Sequence, residues 1–299
     1  GSTMFLSPGE EVSVDQLLHG IVTLSGNDAC VVLAEGVAGT EEAYVAEMNR
    51  IAKAMGLKGS HFANTTGWPD PTEYVTARDL ALIALRTIHD FPDLYRKYYG
   101  LSEFSHGKTL GDGKPIVQEN RNPLLGKVEG ADGLKTGHTE EAGYGLTGSA
   151  ARNGLRLITV LGGMKSKAER AEQSIAFMQW GLNTFRSRAL LKAGEVAGQV
   201  PVWLGDEDRV DVAPDRDVAV TTTRLASADL KVKLAYVGPP PAPIAKGAHL
   251  ADLLIEAQGR TVARIPLKAT RAVDKAGLFG RLAAAWRKTI GAEPQPAAR

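Results

Sequence analysis

The sequence predicts an α+β fold, and three patterns carry the expectation. Apolar residues recur at helical spacing in several stretches between Ser13 and Ile88, and again from Ala168 to Phe185. Arg152-Asn153-Gly154 separates two apolar runs, and Asn-Gly in that position is the strongest short-range hairpin signal. From about Ala193 the spacing changes to short alternating runs, so a small β-rich domain is expected at 190–272, after a first domain at 1–189 and before a tail at 273–299. With 299 residues, 43% of them hydrophobic, the chain can bury a core in one or two domains.

Leu6 to Glu10 reads as a turn, and Ser13-Val14-Asp15-Gln16 as a capping box opening a helix. Leu17, Leu18, Ile21 and Val22 give that helix its apolar face, and it is expected to end near Ser25-Gly26-Asn27. A second helix runs from Asp28 to Val37. Glu41 to Met55 is amphipathic, with Tyr44, Met48, Ile51 and Met55 as expected core residues and Gly56 as the stop. Ser60 to Pro71 is a polar loop around Gly67-Trp68-Pro69. Thr76 and Asp79 open a helix whose inner face is Leu80, Ile83, Ala84 and Ile88. Arg96 to Glu129 is weakly patterned, so short strands and loops are expected there. The hairpin strands are Gly143 to Ala150 and Leu155 to Leu161, followed by a helix with Ala171, Ile175, Met178, Leu182 and Phe185 on one face. In the β region Leu230 to Tyr236 alternates strictly, Gly238 to Pro243 breaks the pattern, and Thr261 to Ile265 resumes it.

In the tail, Leu278, Phe279, Leu282, Trp286 and Ile290 fall on one side of a helical wheel, with Arg281, Arg287 and Lys288 opposite. A basic amphipathic helix of this kind lies in a membrane interface or docks on its own protein. No run approaches the roughly 20 apolar residues that span a bilayer, and the first residues carry no signal-peptide pattern. A net charge of +1 argues against nucleic acid as a partner. One cysteine, Cys30, excludes an internal disulfide and is expected to pack as a small apolar residue. The six histidines are scattered without metal-ligand spacing, so no metal and no cofactor is expected. Gly143-x-Gly145-x-x-Gly148 matches a dinucleotide-binding pattern, but it lies inside a strand leading to a hairpin rather than opening a helix, and is rejected.

Two short motifs carry the chemistry. Lys135-Thr136-Gly137-His138 falls on or just before a strand beside the hairpin, where it offers an ammonium, a hydroxyl and a glycine that lets a ligand approach the backbone. Ser25-Gly26-Asn27 lies 110 residues earlier, on a short connection between two helices that would hold its hydroxyl and amide rigidly. Each alone reads better as ordinary structure, a surface strand and a helix corner. Together they correspond to two of three elements, S-x-x-K, S-D-N and K-T-G, that mark penicillin-binding proteins and class A β-lactamases, with Gly26 at the middle of the second.

The surroundings sharpen the match. Leu24 to Cys30, His61-Phe62, Thr76 to Ile83, Gly133 to Thr139 and Ala142-Gly143-Tyr144 resemble the low-molecular-mass D-alanyl-D-alanine carboxypeptidases over almost the whole chain. The resemblance implies a β-lactamase/transpeptidase-like domain, an antiparallel sheet with helices, followed by the β domain and a C-terminal membrane-associating helix. It further implies a periplasmic enzyme peripheral on the inner membrane, with peptidoglycan pentapeptide as substrate and β-lactams as covalent inhibitors. Carried over by position, Ser25 would relay a proton, Asn27 would bind the substrate amide and orient the lysine, and Lys135 would place positive charge near the terminal carboxylate. Thr136 and His138 would bind that carboxylate, and the backbone after Gly137 would supply one oxyanion donor.

One part of the signature departs from the family. The acylated serine and its lysine, S-x-x-K, should lie well upstream of Ser25 and open a helix, so that the hydroxyl faces the lysine one turn on. The only S-x-x-K is Ser105-His106-Gly107-Lys108, between the other motifs and among glycines that suggest a loop or strand end. Three readings follow: a D,D-carboxypeptidase whose nucleophile segment is missing from this chain, a non-catalytic cell-wall or membrane-binding relative, and a β-lactamase, for which no deacylating carboxylate can be assigned.

Overall fold

The computed structural model describes residues 1–109, 111–223 and 229–277. The chain divides between Asn183 and Thr184 into two compact units.

The first unit builds its helices where the caps were expected. Helix α1, Val14–His19, has Ser13 at its N-cap with both halves of the capping box formed, and continues into a π-helical turn, Gly20–Leu24. Helix α2, Asn27–Ala38, follows after only two residues. Helix α3, Glu41–Ala54, is capped by Thr40, and α4, Ala77–Asp90, by Thr76, whose side chain accepts from the Asp79 amide. Met4, Leu17, Leu24 and Ala29 form a buried cluster that clamps the α1–α2 corner. The expected core face of α3 is corrected: Ile51 is 44% exposed, Tyr44, Met48 and Met55 are only half-buried, and the buried residue is Ala52. Helical spacing shows that a stripe exists, but which neighbours reach it is a tertiary matter.

Helix α5, Pro92–Tyr98, runs into the weakly patterned stretch, which holds a strand pair, β1 (Glu103–Lys108) with β2 (Pro115–Glu119). Strands β3 (Ala131–Thr139), β4 (Gly143–Arg152) and β5 (Leu155–Met164) form an antiparallel sheet in that order. Asn153 and Gly154 both have positive φ, 53° and 74°, as the expected two-residue hairpin turn requires. Gly143, Gly145 and Gly148 all lie within β4, so the dinucleotide reading stays rejected. Helix α6, Lys167–Thr184, buries Arg170, Ser174, Met178, Gly181 and Leu182; Phe185 belongs to the next strand rather than to the helix face.

From Phe185 on, the regular elements among the described residues of the second unit are all strands. Strands β6 (Phe185–Leu191) and β9 (Val218–Thr223) pair. Strands β7 (Gly198–Pro201), β8 (Arg209–Ala213), β10 (Lys231–Tyr236), β11 (His249–Ala257) and β12 (Arg260–Ala269) form a sheet in the order β10-β11-β12-β8-β7. Val200, Val210, Val212, Val220, Leu253, Ile255 and Leu267 lie in its core. Because β6 precedes residue 190, the β-rich unit begins earlier than the expected boundary. The strict alternation of Leu230 to Tyr236 does not become alternating burial: Lys231, Val232 and Lys233 are all exposed and the last three residues half-buried. Among the described residues this strand is an edge that pairs only with β11, and an edge strand need not bury one whole face. The amphipathic pattern from Leu278 lies outside the described residues.

Candidate active site

Strand β3 brings Lys135 to the corner between α1 and α2. Alternation along the strand sends Leu134, 4% exposed, into a core with Ala84 and Tyr95, and so turns Lys135 to the opposite face. There the Lys135 Nζ donates to Ser25 Oγ at 2.7 Å and to the Thr136 carbonyl at 2.9 Å. Two motifs 110 residues apart therefore share a hydrogen bond.

The corner is built for close approach. Ser25 caps the π-helical turn with its backbone in the left-handed region, φ 60° and ψ 39°, which a non-glycine residue adopts at a cost. A Cβ on Gly26 would stand 3.1 Å from Asp28 Oδ1 and 3.2 Å from the Met4 amide nitrogen, so the middle position is held small by its neighbours. The Asn27 amide donates to the Ser2 carbonyl at 3.0 Å, and Asp28 accepts from the Met4 and Leu6 amides at 2.8 and 3.1 Å. These bonds pin residues 2–6 beside the motif.

Ser25, Asn27, Lys135, Thr136, Gly137 and His138 all line one cleft of about 720 Å³. Every site residue expected from sequence thus meets there. The cleft also collects residues that sequence reasoning missed: Arg121, Tyr144, Lys167 and Arg170 line it, as do Thr66 and Trp68. Arg121 donates to the Leu24 carbonyl at 2.8 Å, and Arg170 to the Arg121 carbonyl at 3.2 Å. Arg170 is 6% exposed, and its Nε has no hydrogen-bond partner among the described residues. Its guanidinium lies 5.6 Å from the Tyr144 ring centre, and the His138 ring centre is 3.8 Å from that of Tyr144. The signal for Arg170 was present, since it occupies the same stripe of α6 as Ser174 and Met178, where a charge is out of place without a partner. Arg121 sits in an unpatterned segment that gave no signal.

Electrostatics follow from this crowding. Burial of its ammonium, reinforced by the positive charges of Arg121 and Arg170, pushes the Lys135 pKa down to about 8, although the residue as a whole is half-buried. Cys30 also lines the cleft, and burial pushes its thiol up to about 11, so it stays protonated and unreactive. The cleft is a cation-rich receptor with a hydroxyl and an amide at its edge, suited to a peptide ending in a carboxylate. No group of His, Cys, Asp and Glu that could hold a metal occurs among the described residues.

The remaining motif lies elsewhere. Ser105 and Lys108 are on strand β1, separated by a register shift, and so are not one helical turn apart as the family motif requires. Neither lines the cleft.

A K-T-G strand facing an S-G-N corner, in a domain followed by a separate β unit, defines the penicillin-binding class of serine peptidases. The chain belongs to the D-alanyl-D-alanine carboxypeptidase family of serine-type carboxypeptidases: the family model matches residues 1–166, and the model of the penicillin-binding protein 5 C-terminal domain matches 185–275. It is 38% identical over 284 residues to D-alanyl-D-alanine carboxypeptidase DacA of Escherichia coli strain K12, covering 94% of this chain and 68% of that protein. It is 32% identical to D-alanyl-D-alanine carboxypeptidase DacF of Bacillus subtilis strain 168, covering 97% and 73%. Among solved structures, penicillin binding protein 5 from Haemophilus influenzae superposes with a TM-score of 0.83 at 33% identity, over 92% of this chain and 78% of that one.

Proposed function

We propose that the chain carries the substrate-binding and proton-handling part of a D-alanyl-D-alanine carboxypeptidase site, acting on the D-alanyl-D-alanine end of peptidoglycan stem peptides and receiving β-lactams in the same cleft. The observation that carries this reading is the 2.7 Å hydrogen bond from Lys135 to Ser25 inside the cation-rich cleft. The substrate carboxylate lies against Lys135, Thr136 and His138, with Arg121 and Arg170 adding positive potential. Asn27 holds the peptide amide. In the family reaction a serine oxygen bonds to the carbonyl carbon of the penultimate D-alanine and the amide C–N bond breaks. The proton released by that serine passes, with Ser25 and Lys135 as carriers, to the departing D-alanine amine, and water then hydrolyses the ester. The acylated serine is not assigned to any residue here, because the one S-x-x-K lies on β1 and away from the cleft.

A position on the periplasmic face of the inner membrane is part of the proposal and rests on the basic amphipathic pattern of the tail. Among the described residues no helix is long and apolar enough to cross a membrane.

Incubation with a fluorescent penicillin, read by intact mass, is paired with calorimetric titration of a D-alanyl-D-alanine peptide. The expected result is reversible peptide binding without covalent label. Covalent label would place the nucleophile among these residues and overturn the assignment of roles. A folded sample that binds neither ligand would overturn the site itself.

A further inference from the structure

Strand β3 is interrupted shortly before Lys135. Ala131 pairs with Ala150 and Gly133 with Ser149, so Asp132 is an extra residue with no partner on β4. From Gly133 to Thr139 the pairing then runs residue for residue against Ser149 to Gly143. The bulge at Asp132 therefore sets which residue of β4 stands opposite Lys135, and bulges beside active sites serve to re-aim a side chain. A slip of one residue would carry Lys135 about 3.3 Å along the strand. The 2.7 Å hydrogen bond to Ser25 does not survive a displacement of that size.

The bulged residue is gripped from two other elements. Asp132 Oδ1 accepts from the Tyr95 hydroxyl at 2.7 Å and from Arg156 Nη1 at 2.9 Å, and Oδ2 accepts from Arg156 Nη2 at 2.8 Å. The guanidinium fork fixes the orientation of the carboxylate as well as its position. Arg156 Nη1 also donates to Ser149 Oγ at 2.7 Å, and Ser149 is the residue opposite Gly133. Since Arg156 lies on β5 opposite Ala151, one guanidinium ties the bulge of β3 to the strand it would slip against. Tyr95 comes from α5 and is buried in the core that also holds Leu134. Gly133 leaves its phenol room, because a Cβ there would stand 2.6 Å from the Tyr95 oxygen. Burial, reinforced by the Asp132 carboxylate, pushes the Tyr95 pKa above its ordinary value, so the phenol stays a donor. The Asp132 and Arg156 side chains are each about a third exposed, and an ion pair so open to water adds little stability by itself. Its three bonds on one bulged residue fix geometry instead.

We infer that Asp132 is a positioning residue for the site: held by Tyr95 and Arg156, it keeps the bulge of β3 in place and so delivers Lys135 to Ser25. Tyr95, Asp132 and Arg156 do not line the cleft, so they act on a ligand only through Lys135. This role rests on the function proposed above for Lys135.

The test reads Lys135 directly. In the ligand-free chain, isotope-labelled lysine is titrated by NMR, with the Lys135 signal assigned through Lys135→Arg, and calorimetry at pH 7 gives the affinity for a D-alanyl-D-alanine peptide. The groups that face the ammonium, Ser25, Cys30, Arg121 and Arg170, are the same in every variant. Asp132→Ala is expected to raise the Lys135 midpoint from about 8 by about one pH unit as the ammonium reaches water. The same variant is expected to weaken peptide binding about tenfold. Asp132→Asn keeps an acceptor for Tyr95 and is expected to recover most of both. Tyr95→Phe removes a single donor and should move the midpoint the same way by less; it carries the test if Asp132→Ala does not fold. Variants that melt earlier but leave the midpoint and the affinity unchanged would reveal a merely structural ion pair and overturn the inference. If the unsubstituted chain binds no peptide, the substrate reading falls, and the midpoint alone upholds or overturns the role of Asp132.

Discussion

At the scale of single residues, Lys135 decides the pH behaviour of the site. Its pKa of about 8 lies below the ordinary lysine value, so the free protein loses the ammonium through mildly alkaline pH. A ligand carboxylate binds the protonated form and raises this pKa in the complex. Affinity for a D-alanyl-D-alanine peptide is therefore expected to be flat below about pH 8 and to fall by up to roughly tenfold per unit above it. Calorimetry across pH 6–10 checks the profile, and Lys135→Arg, whose charge persists, should flatten it. Lys135→Ala should weaken binding more than tenfold at pH 7, and near-normal affinity in that variant would contradict the assigned role. The linkage to stability has the opposite sense. Between the folded value and the ordinary one the unfolded chain binds more protons, so folding stability gains from Lys135 as pH rises through that window. Ser25 carries a different cost. Its left-handed backbone disfavours any residue with a Cβ, so Ser25→Gly is expected to be more stable than Ser25→Ala by about 1 kcal/mol. Both variants remove the hydroxyl that Lys135 holds, so thermal melts of the pair isolate the backbone effect.

At the scale of elements, α1 depends on its cap because it is short. The six residues Val14–His19 cannot sustain a helix alone, and Ser13 with Gln16 satisfies two of its unpaired donors. Ser13→Ala is expected to cost about 1 kcal/mol, measured by denaturant unfolding. Should the π-helical turn Gly20–Leu24 loosen as well, the Lys135–Ser25 bond would weaken and the peptide affinity fall with it. The helices and the hairpin were legible in the sequence because caps, periodicity and Asn-Gly turns act over a few residues. The core face of α3 and the alternation of β10 were misread for one shared reason. Periodicity marks which side of an element is apolar, and only the neighbouring elements determine whether that side is covered. In α3 the covering reaches Ala52 and leaves Ile51 in water, while in β10 the edge position leaves Lys231 to Lys233 exposed.

At the scale of the molecule, the two units have separate cores, and the second has an all-apolar one of its own in Val200, Val210, Val212, Leu253, Ile255 and Leu267. A fragment from Thr184 is therefore expected to fold independently, with a cooperative thermal transition in circular dichroism. A fragment that melts without cooperativity would show that this core needs the rest of the chain. The catalytic unit distributes charge unevenly: Lys135, Arg121, Arg170 and Lys167 surround one cleft although the whole chain carries only +1. Net charge is a property of the whole composition and was blind to this local concentration, which steers an anionic ligand.

The sequence by itself determined the family and the two motifs, because Ser25-Gly26-Asn27 and Lys135-Thr136-Gly137-His138 are contiguous and each sits where local signals end a helix or begin a strand. It also determined the α+β order of elements, for the same local reasons. Only the tertiary structure decided that Lys135 and Ser25 share a proton donor and acceptor at 2.7 Å, that Arg170 is buried beneath Tyr144, and that Tyr95 and Arg156 close on Asp132 at a bulge in β3. Those side chains come from segments far apart in the chain. Their meeting depends on packing between elements, a property that no short window of sequence contains.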